Sequence, residues 1–84
     1  MTEEKLKEII DTLSELKEDM GVPKNIKNRI NHIIEILNQD LDLSISVNKV
    51  SSELDEILDD TNIQSYTRMQ ILNIVSLLET IQIN

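Results

Sequence analysis

Apolar residues recur along this chain with the three- and four-residue spacing of amphipathic helices. Four such runs are separated by short polar stretches, and strand-like alternation is nowhere sustained. The pattern predicts helices over residues 3–20, 23–38, 43–59 and 64–82. The predicted inward positions are Leu6, Ile9, Ile10, Leu13, Leu16 and Met20 in the first helix; Ile26, Ile30, Ile33, Ile34, Leu37 and Leu41 in the second; Val47, Val50, Leu54, Ile57 and Leu58 in the third; and Ile71, Ile74, Val75, Leu78 and Ile81 in the fourth.

The polar stretches contain residues that end and begin helices. Gly21 stands where a left-handed residue ends a helix, and Pro23 suits the first position of the next one. Asp42 is the predicted cap of the third helix, because its short carboxylate can accept a free backbone N–H. Residues 59–62 read Asp-Asp-Thr-Asn, which predicts a turn before the fourth helix.

The two halves of the chain match each other at an offset of 41 residues. The matches include charged pairs, such as Glu15 with Glu56 and Lys27 with Arg68, as well as apolar pairs such as Ile30 with Ile71. We interpret this as a repeated helical hairpin. Two hairpins are too few for an open solenoid, so the sequence predicts an all-α, compact four-helix bundle, a single domain over residues 1–84.

Composition narrows the classes of function. The chain has 84 residues, a formal net charge of -8, no cysteine and one histidine. Disulfides and the common zinc ligand sets are therefore excluded, and we expect neither a metal nor a cofactor. The acidic balance disfavours sequence-independent binding to nucleic acid or to an anionic membrane. The N-terminus reads Met-Thr-Glu-Glu and no long apolar run follows, so the expected location is the cytoplasm.

Three stretches of the sequence carry a family resemblance: Val22-Pro23-Lys24-Asn25-Ile26, Leu54-Asp55-Glu56-Ile57 and Asn73-Ile74-Val75-Ser76-Leu77-Leu78-Glu79. Together they resemble the archaeal uncharacterised protein family numbered 0147. The chain departs from the family pattern at Leu43 and Gln64, where the family often begins helices with proline. The resemblance implies a compact four-helix bundle of archaeal origin and implies no activity, cofactor or site.

Two groups could suggest metal or acid–base chemistry. His32 lies about 200° from Ile30 on a helix, which places it on the outer surface, and no second histidine completes a di-iron pattern. Asp59, Asp60 and Asn62 supply oxygen donors but lack the spacing of a calcium loop. We interpret both groups as solvated helix surface and predict no catalytic residue.

Basic residues cluster where the helical turns meet. In an up-down bundle the two hairpin turns lie at one end, which brings together the candidate anion or RNA contacts Lys24, Lys27, Arg29, Tyr66 and Arg68. Acids at residues 18–19 and 59–60 lie beside them. Cross-turn ion pairing is the favoured interpretation, and an RNA contact is the alternative.

The fourth helix is apolar where its repeat counterpart is polar. Met69 and Leu72 align with Asn28 and Asn31, and Ile83 extends the apolar stripe. Either this helix is more enclosed, or Met69, Leu72 and Ile83 form a partner-binding face. The favoured function is a non-enzymatic helical protein–protein interaction module, with a homodimer through the fourth helix as one form. The alternative is an RNA- or ribonucleoprotein-associated protein that uses Lys24, Lys27 and Arg68.

Overall fold

The computed structural model describes residues 2–39 and 42–81, which form four helices and no strand. The helices are α1 (Thr2–Glu18), α2 (Lys24–Asn38), α3 (Leu43–Leu58) and α4 (Ser65–Glu79). The all-helical fold predicted from the sequence is confirmed. Two predicted positions, Leu41 and Ile83, lie outside the described residues.

Each helix packs against two neighbours around one core. α1 contacts α2 and α4, and α3 contacts the same two helices, so the four form a closed bundle. The core is almost entirely aliphatic, and Ile30 and Ile74 are fully buried in it. Burying so many aliphatic side chains is what stabilises a bundle of this size without aromatic residues. The buried apolar residues are Ile9, Leu13, Leu16, Val22, Ile26, Ile30, Ile33, Ile36, Val50, Leu54, Ile57, Ile63, Ile71, Ile74, Leu78 and Ile81.

The predicted cap of α3 is confirmed. The Asp42 carboxylate accepts the backbone N–H of Ser44 at 2.9 Å and the Ser44 hydroxyl at 2.7 Å. The hydroxyl hydrogen bond and the backbone hydrogen bond from Ser44 lower the pKa of Asp42. The ionised carboxylate is thus the form that the helix start favours.

The 41-residue repeat is visible in the backbone as well as in the side chains. The N–H of Asp19 bonds to the carbonyl of Leu16, and the N–H of Asp60 bonds to the carbonyl of Ile57. At the start of the following helix, Lys27 bonds to Pro23 and Arg68 bonds to Gln64 in the same way. The bundle is therefore built from two hairpins with equivalent turns, which is the architecture that the repeat predicted.

The prediction that Met20 faces the core is wrong. α1 ends at Glu18, two residues before the predicted end, because Asp19 turns the chain and accepts the N–H of Gly21 at 2.7 Å. Met20 therefore lies beyond the helix, and 96% of it is exposed. The side chain follows the turn rather than the helical period.

The left-handed conformation predicted for Gly21 is also wrong, since no described glycine has a positive φ. The surroundings of this residue are nevertheless close. A Cβ atom at Gly21 would lie 3.0 Å from Oε1 of Gln64, at the start of α4. Because this atom is the end of an exposed, flexible side chain, the contact shows that the two turns lie near each other without requiring glycine.

The remaining helix ends differ from the predicted ones by a few residues. Pro23 is the N-cap of α2 rather than its first helical residue, and its carbonyl accepts the N–H groups of Ile26 and Lys27. α3 ends at Leu58 and α4 begins at Ser65, each one residue inside the prediction. α4 ends at Glu79.

Candidate protein-binding surfaces

The outer face of α4 exposes two large apolar side chains. Met69 is 64% exposed and Leu72 is 47% exposed, so α4 is not enclosed at these positions. The exposed residues of α4 are Ser65, Tyr66, Met69, Leu72, Asn73, Ser76 and Glu79, and only the last is charged. On α1, by contrast, eight residues are exposed, and all of them except Ser14 are charged: Glu3, Glu4, Lys7, Glu8, Asp11, Glu15 and Glu18.

The equivalent surface of the first hairpin, on α2, is polar. In the first hairpin, Lys17 donates to Oδ1 of Asn31 at 3.1 Å, a polar contact between α1 and α2. The residues 41 positions later are Leu58 and Leu72, which are half-buried and exposed respectively. The second hairpin has therefore replaced a polar outer contact with two leucines. Such a replacement is unfavourable at a free surface and favourable at an interface.

Arg68, one of the five candidate anion contacts, binds the protein's own backbone. Its guanidinium donates to the carbonyl of Leu58 at 2.7 Å and to the carbonyl of Asp60 at 3.1 Å. These carbonyls lie at the C-terminal end of α3, where the last carbonyls of a helix lack intrahelical partners and a cation is stabilising. Backbone capping by Arg68 thus takes the place of the cross-turn ion pairing expected at this turn.

Arg29 lies between α2 and α3 and faces two acids. It donates to Glu56 and to Glu53, the latter at 3.3 Å. The hydrogen bond with Glu56 and the negative charge of that carboxylate raise the pKa of Arg29. Arg29 is therefore part of a contact between helices rather than a free anion ligand.

The other three basic-end candidates are not joined to this pair by any hydrogen bond of the described residues. Lys24 is exposed and Lys27 is half-buried. The Tyr66 hydroxyl accepts the side-chain amide of Gln70 at 2.9 Å and is directed along α4. Within the part of the chain that the structure describes, Lys24 and Lys27 thus have no hydrogen-bond or ion-pair partner, whereas Arg68 binds the backbone at the end of α3.

Of the candidate metal-binding or acid–base groups, His32 lies on the surface and Asp60 closes a turn. Nε2 of His32 lies 3.8 Å from Glu53, and 58% of its side chain is exposed. Asp60 accepts the N–H of Asn62 at 2.8 Å, which closes the turn before α4. Within residues 2–39 and 42–81, no three histidine, cysteine or acidic side chains are grouped as a metal site.

Two grooves occupy equivalent places in the bundle. One lies between α2 and α3, has a volume of about 510 Å³, and is lined by His32, Ile36, Gln39, Asn48, Lys49, Ser52 and Glu53. The other lies between α1 and α4, has a volume of about 390 Å³, and is lined by Glu8, Asn73, Ser76, Leu77 and Thr80. Their lining residues are equivalent in the repeat: Glu8 and Lys49 are 41 positions apart, and so are His32 and Asn73. The repeat therefore relates the two grooves.

A small notch continues the α1–α4 groove toward the turns. It is lined by Thr12, Glu15, Leu16, Asp19, Tyr66 and Gln70. Sequence reasoning missed the groove and the notch. The repeat pointed to the notch, because its lining residues Glu15 and Gln70 align with Glu56 and Arg29, which form an ion pair.

None of the described helices is long and apolar enough to cross a membrane.

Comparison with known proteins agrees with this architecture. A model of the uncharacterised protein family UPF0147 matches residues 1–81. The chain belongs to this family. A UPF0147 protein of the archaeon Metallosphaera sedula is 42% identical over 82 residues, which cover 95% of this chain and 91% of that protein. A UPF0147 protein of Methanosarcina mazei is 33% identical, with 96% and 88% covered.

Solved structures share the fold of this UPF0147 chain. A crystal structure of a protein of unknown function, MMP1188, has a TM-score of 0.91 and 37% identity, covering 99% of this chain and 96% of that one. A UPF0147 protein from Thermoplasma acidophilum has a TM-score of 0.90 and 30% identity, with 95% of each chain covered. The resemblance to the family and the four-helix fold are thereby confirmed. The function of UPF0147 is not established by these matches.

Proposed function

We propose that this UPF0147 protein is a non-enzymatic helical interaction module that binds a second copy of itself through the outer face of α4. The observation that carries the proposal is the exposure of Met69 and Leu72 on a helix whose repeat counterpart has asparagine at both places. Aliphatic and thioether side chains on an otherwise solvated bundle are stabilised when a partner covers them.

The low charge of the outer face of α4 fits a second copy as the partner. The chain has a formal net charge of -8, so two copies repel each other at most surfaces. The outer face of α4 has a single charged residue, Glu79, near its end. Two copies that meet there bring the fewest acids close together, and the loss of water from Met69 and Leu72 favours the contact.

The environment of the titratable groups supports a non-enzymatic role. Among the described residues, every acid and the histidine are exposed or half-buried, and the buried polar residues are Ser46 and Thr67. Acids and bases acquire catalytic pKa values mainly through burial or close like charges. The RNA alternative receives less support, because Arg29 and Arg68 are occupied within the bundle.

Sedimentation equilibrium of two matched variants tests this function. Leu72→Glu places a charge on the proposed face, and Asn31→Glu places the same charge at the equivalent position of the first hairpin. We expect wild type and Asn31→Glu to dimerise at micromolar to submillimolar concentration and Leu72→Glu to be a folded monomer, because an unpaired charge is costly at an interface. A monomeric wild type, or a Leu72→Glu variant that still dimerises, would refute the proposal.

A further inference from the structure

The notch between α1 and α4 lies on the other side of α4 from Leu72, whereas Asn73 and Ser76 extend the adjoining groove toward the outer face of the helix. Gln70 precedes and Leu72 follows the buried Ile71. At about 100° per residue, the side chains of Gln70 and Leu72 therefore leave the helix on opposite sides. A ligand on Glu15 and Leu77 would therefore not need Met69 or Leu72, so variants at Gln70 and at Leu72 test the two surfaces separately.

The repeat-equivalent contact between α2 and α3 shows which side chain binds at such a site. Between α2 and α3, the guanidinium of Arg29 lies on the carboxylates of Glu56 and Glu53. Guanidinium groups suit such sites because their planar array of donors matches carboxylate oxygens. The contact between α2 and α3 therefore accommodates an arginine side chain, which is that of Arg29.

Between α1 and α4 the sequence has one of the two acids and lacks the arginine. Glu15 takes the place of Glu56, Thr12 takes the place of Glu53, and Gln70 takes the place of Arg29. Both line the notch, and the Gln70 amide donates to the Tyr66 hydroxyl at 2.9 Å. Among the described residues no cation contacts Glu15. The notch is thus the counterpart of an occupied guanidinium site, with one of its two acids and without its guanidinium.

The adjoining groove adds room and an apolar contact. It has a volume of about 390 Å³, and the half-buried side chain of Leu77 lines it together with Glu8. Leu77 is seven residues after Gln70, about 10 Å along the helix at 1.5 Å per residue. A ligand that fills both places needs a cation and an apolar side chain at that separation.

We propose that the α1–α4 groove binds a basic helical segment of another protein, with an arginine of that segment on Glu15 and an apolar side chain on Leu77. On a helix, side chains about 10 Å apart on one face are seven residues apart. The net charge of -8 on this chain attracts such a segment and repels an acidic one. The proposal rests on Glu15, Gln70 and Leu77, and not on Met69 or Leu72, which carry the proposed dimer face.

The probe is a capped, alanine-based helical peptide with one arginine and one leucine seven residues apart. The control peptide has the same composition, with the arginine moved to the opposite face. We expect the probe to shift the amide resonances of the isotope-labelled protein at Thr12, Glu15, Gln70 and Leu77, and the control to bind at least tenfold more weakly. Equal binding of the two peptides, or shifts spread over all acidic surfaces, would overturn the proposal.

Two protein variants with the same added charge locate the site. Gln70→Arg supplies the missing guanidinium from within the chain, so we expect it to weaken probe binding at least tenfold. Asn28→Arg adds the same charge to the exposed face of α2 and should bind the probe like wild type. Wild-type affinity in Gln70→Arg would overturn the proposal. Shifts at Glu15 and Leu77 that follow protein concentration without peptide would instead place a second copy in the groove, and would also overturn it.

Discussion

Asp19 and Asp60, 41 positions apart, make the same hydrogen bond at equivalent turns. Oδ1 of Asp19 accepts the N–H of Gly21 at 2.7 Å, and Oδ1 of Asp60 accepts the N–H of Asn62 at 2.8 Å. The acids near the ends of α1 and α3 therefore have a local role in closing the turns. Their backbone contact offsets the unfavourable placement of an acid beside the partially negative end of a helix.

Removing these carboxylates should destabilise the bundle, while an amide should substitute for them. We expect Asp19→Ala and Asp60→Ala each to lower the free energy of unfolding by about 0.5–1.5 kcal/mol, because each leaves a backbone donor without its partner. Asp19→Asn and Asp60→Asn keep an acceptor oxygen and should lose less. Urea denaturation measures the difference, and alanine variants as stable as the asparagine variants would show that the turn bonds are dispensable.

The carbonyl contacts of Arg68 distinguish it from its repeat counterpart Lys27. We expect Arg68→Met to lower the free energy of unfolding by about 1–3 kcal/mol, because two hydrogen bonds from a charged donor are lost at the end of α3. Lys27→Met removes the same charge from the first hairpin and should change stability by less than about 0.5 kcal/mol. Thermal and urea melts of the pair provide the test. Equal losses in the two variants would contradict the capping role of Arg68.

The sequence predicted the core well because aliphatic residues keep the helical period over whole helices. It failed where a local contact interrupts that period, as at Met20, which lies beyond the turn made by Asp19. It also missed the burial of Thr67, which is 1% exposed. Here the repeat contained the signal, because Thr67 aligns with Ile26, a core residue.

The surface contacts were harder to predict than the core. Arg29 was assigned to a basic end, yet it pairs with Glu53 and Glu56 on α3. Periodicity shows which face of a helix is polar, but it does not show which neighbouring helix that face meets. The sequence likewise did not decide whether Met69 and Leu72 are exposed, since an apolar stripe on the fourth helix fits both an enclosed helix and an exposed one.

The central isoleucines provide a test of the packing. Ile30 and Ile74 are fully buried, so we expect Ile30→Ala and Ile74→Ala each to cost about 2–5 kcal/mol of stability through lost burial and a residual cavity. Ile45, which is 48% exposed, is the matched control, and Ile45→Ala should cost much less. Urea melts that gave a loss below about 1 kcal/mol for the two core variants would refute the core assignment.

Acid should weaken the start of α3. The Ser44 hydroxyl and backbone N–H hold the pKa of Asp42 below its ordinary value of 3.8. A carboxylate with a lowered folded pKa stabilises the fold above its unfolded pKa, and this contribution is lost as pH falls from about 4 through the folded value. Asp42→Asn should therefore reduce the loss of stability below about pH 4 while leaving the slope at neutral pH unchanged. Identical pH profiles for wild type and variant, in urea melts, would show that the cap does not titrate in this way.

The most direct measurement of the proposed function is a dilution series of the isotope-labelled wild-type protein followed by amide resonances. As concentration rises from about 20 µM to about 1 mM, a range that covers weak dimers, we expect shifts concentrated on the outer face of α4 at Met69 and Leu72. Higher salt should enlarge these shifts, because it screens the repulsion between two chains of net charge -8. Shifts confined to α1 and α2, or spectra unchanged over the whole series, would contradict self-association through α4.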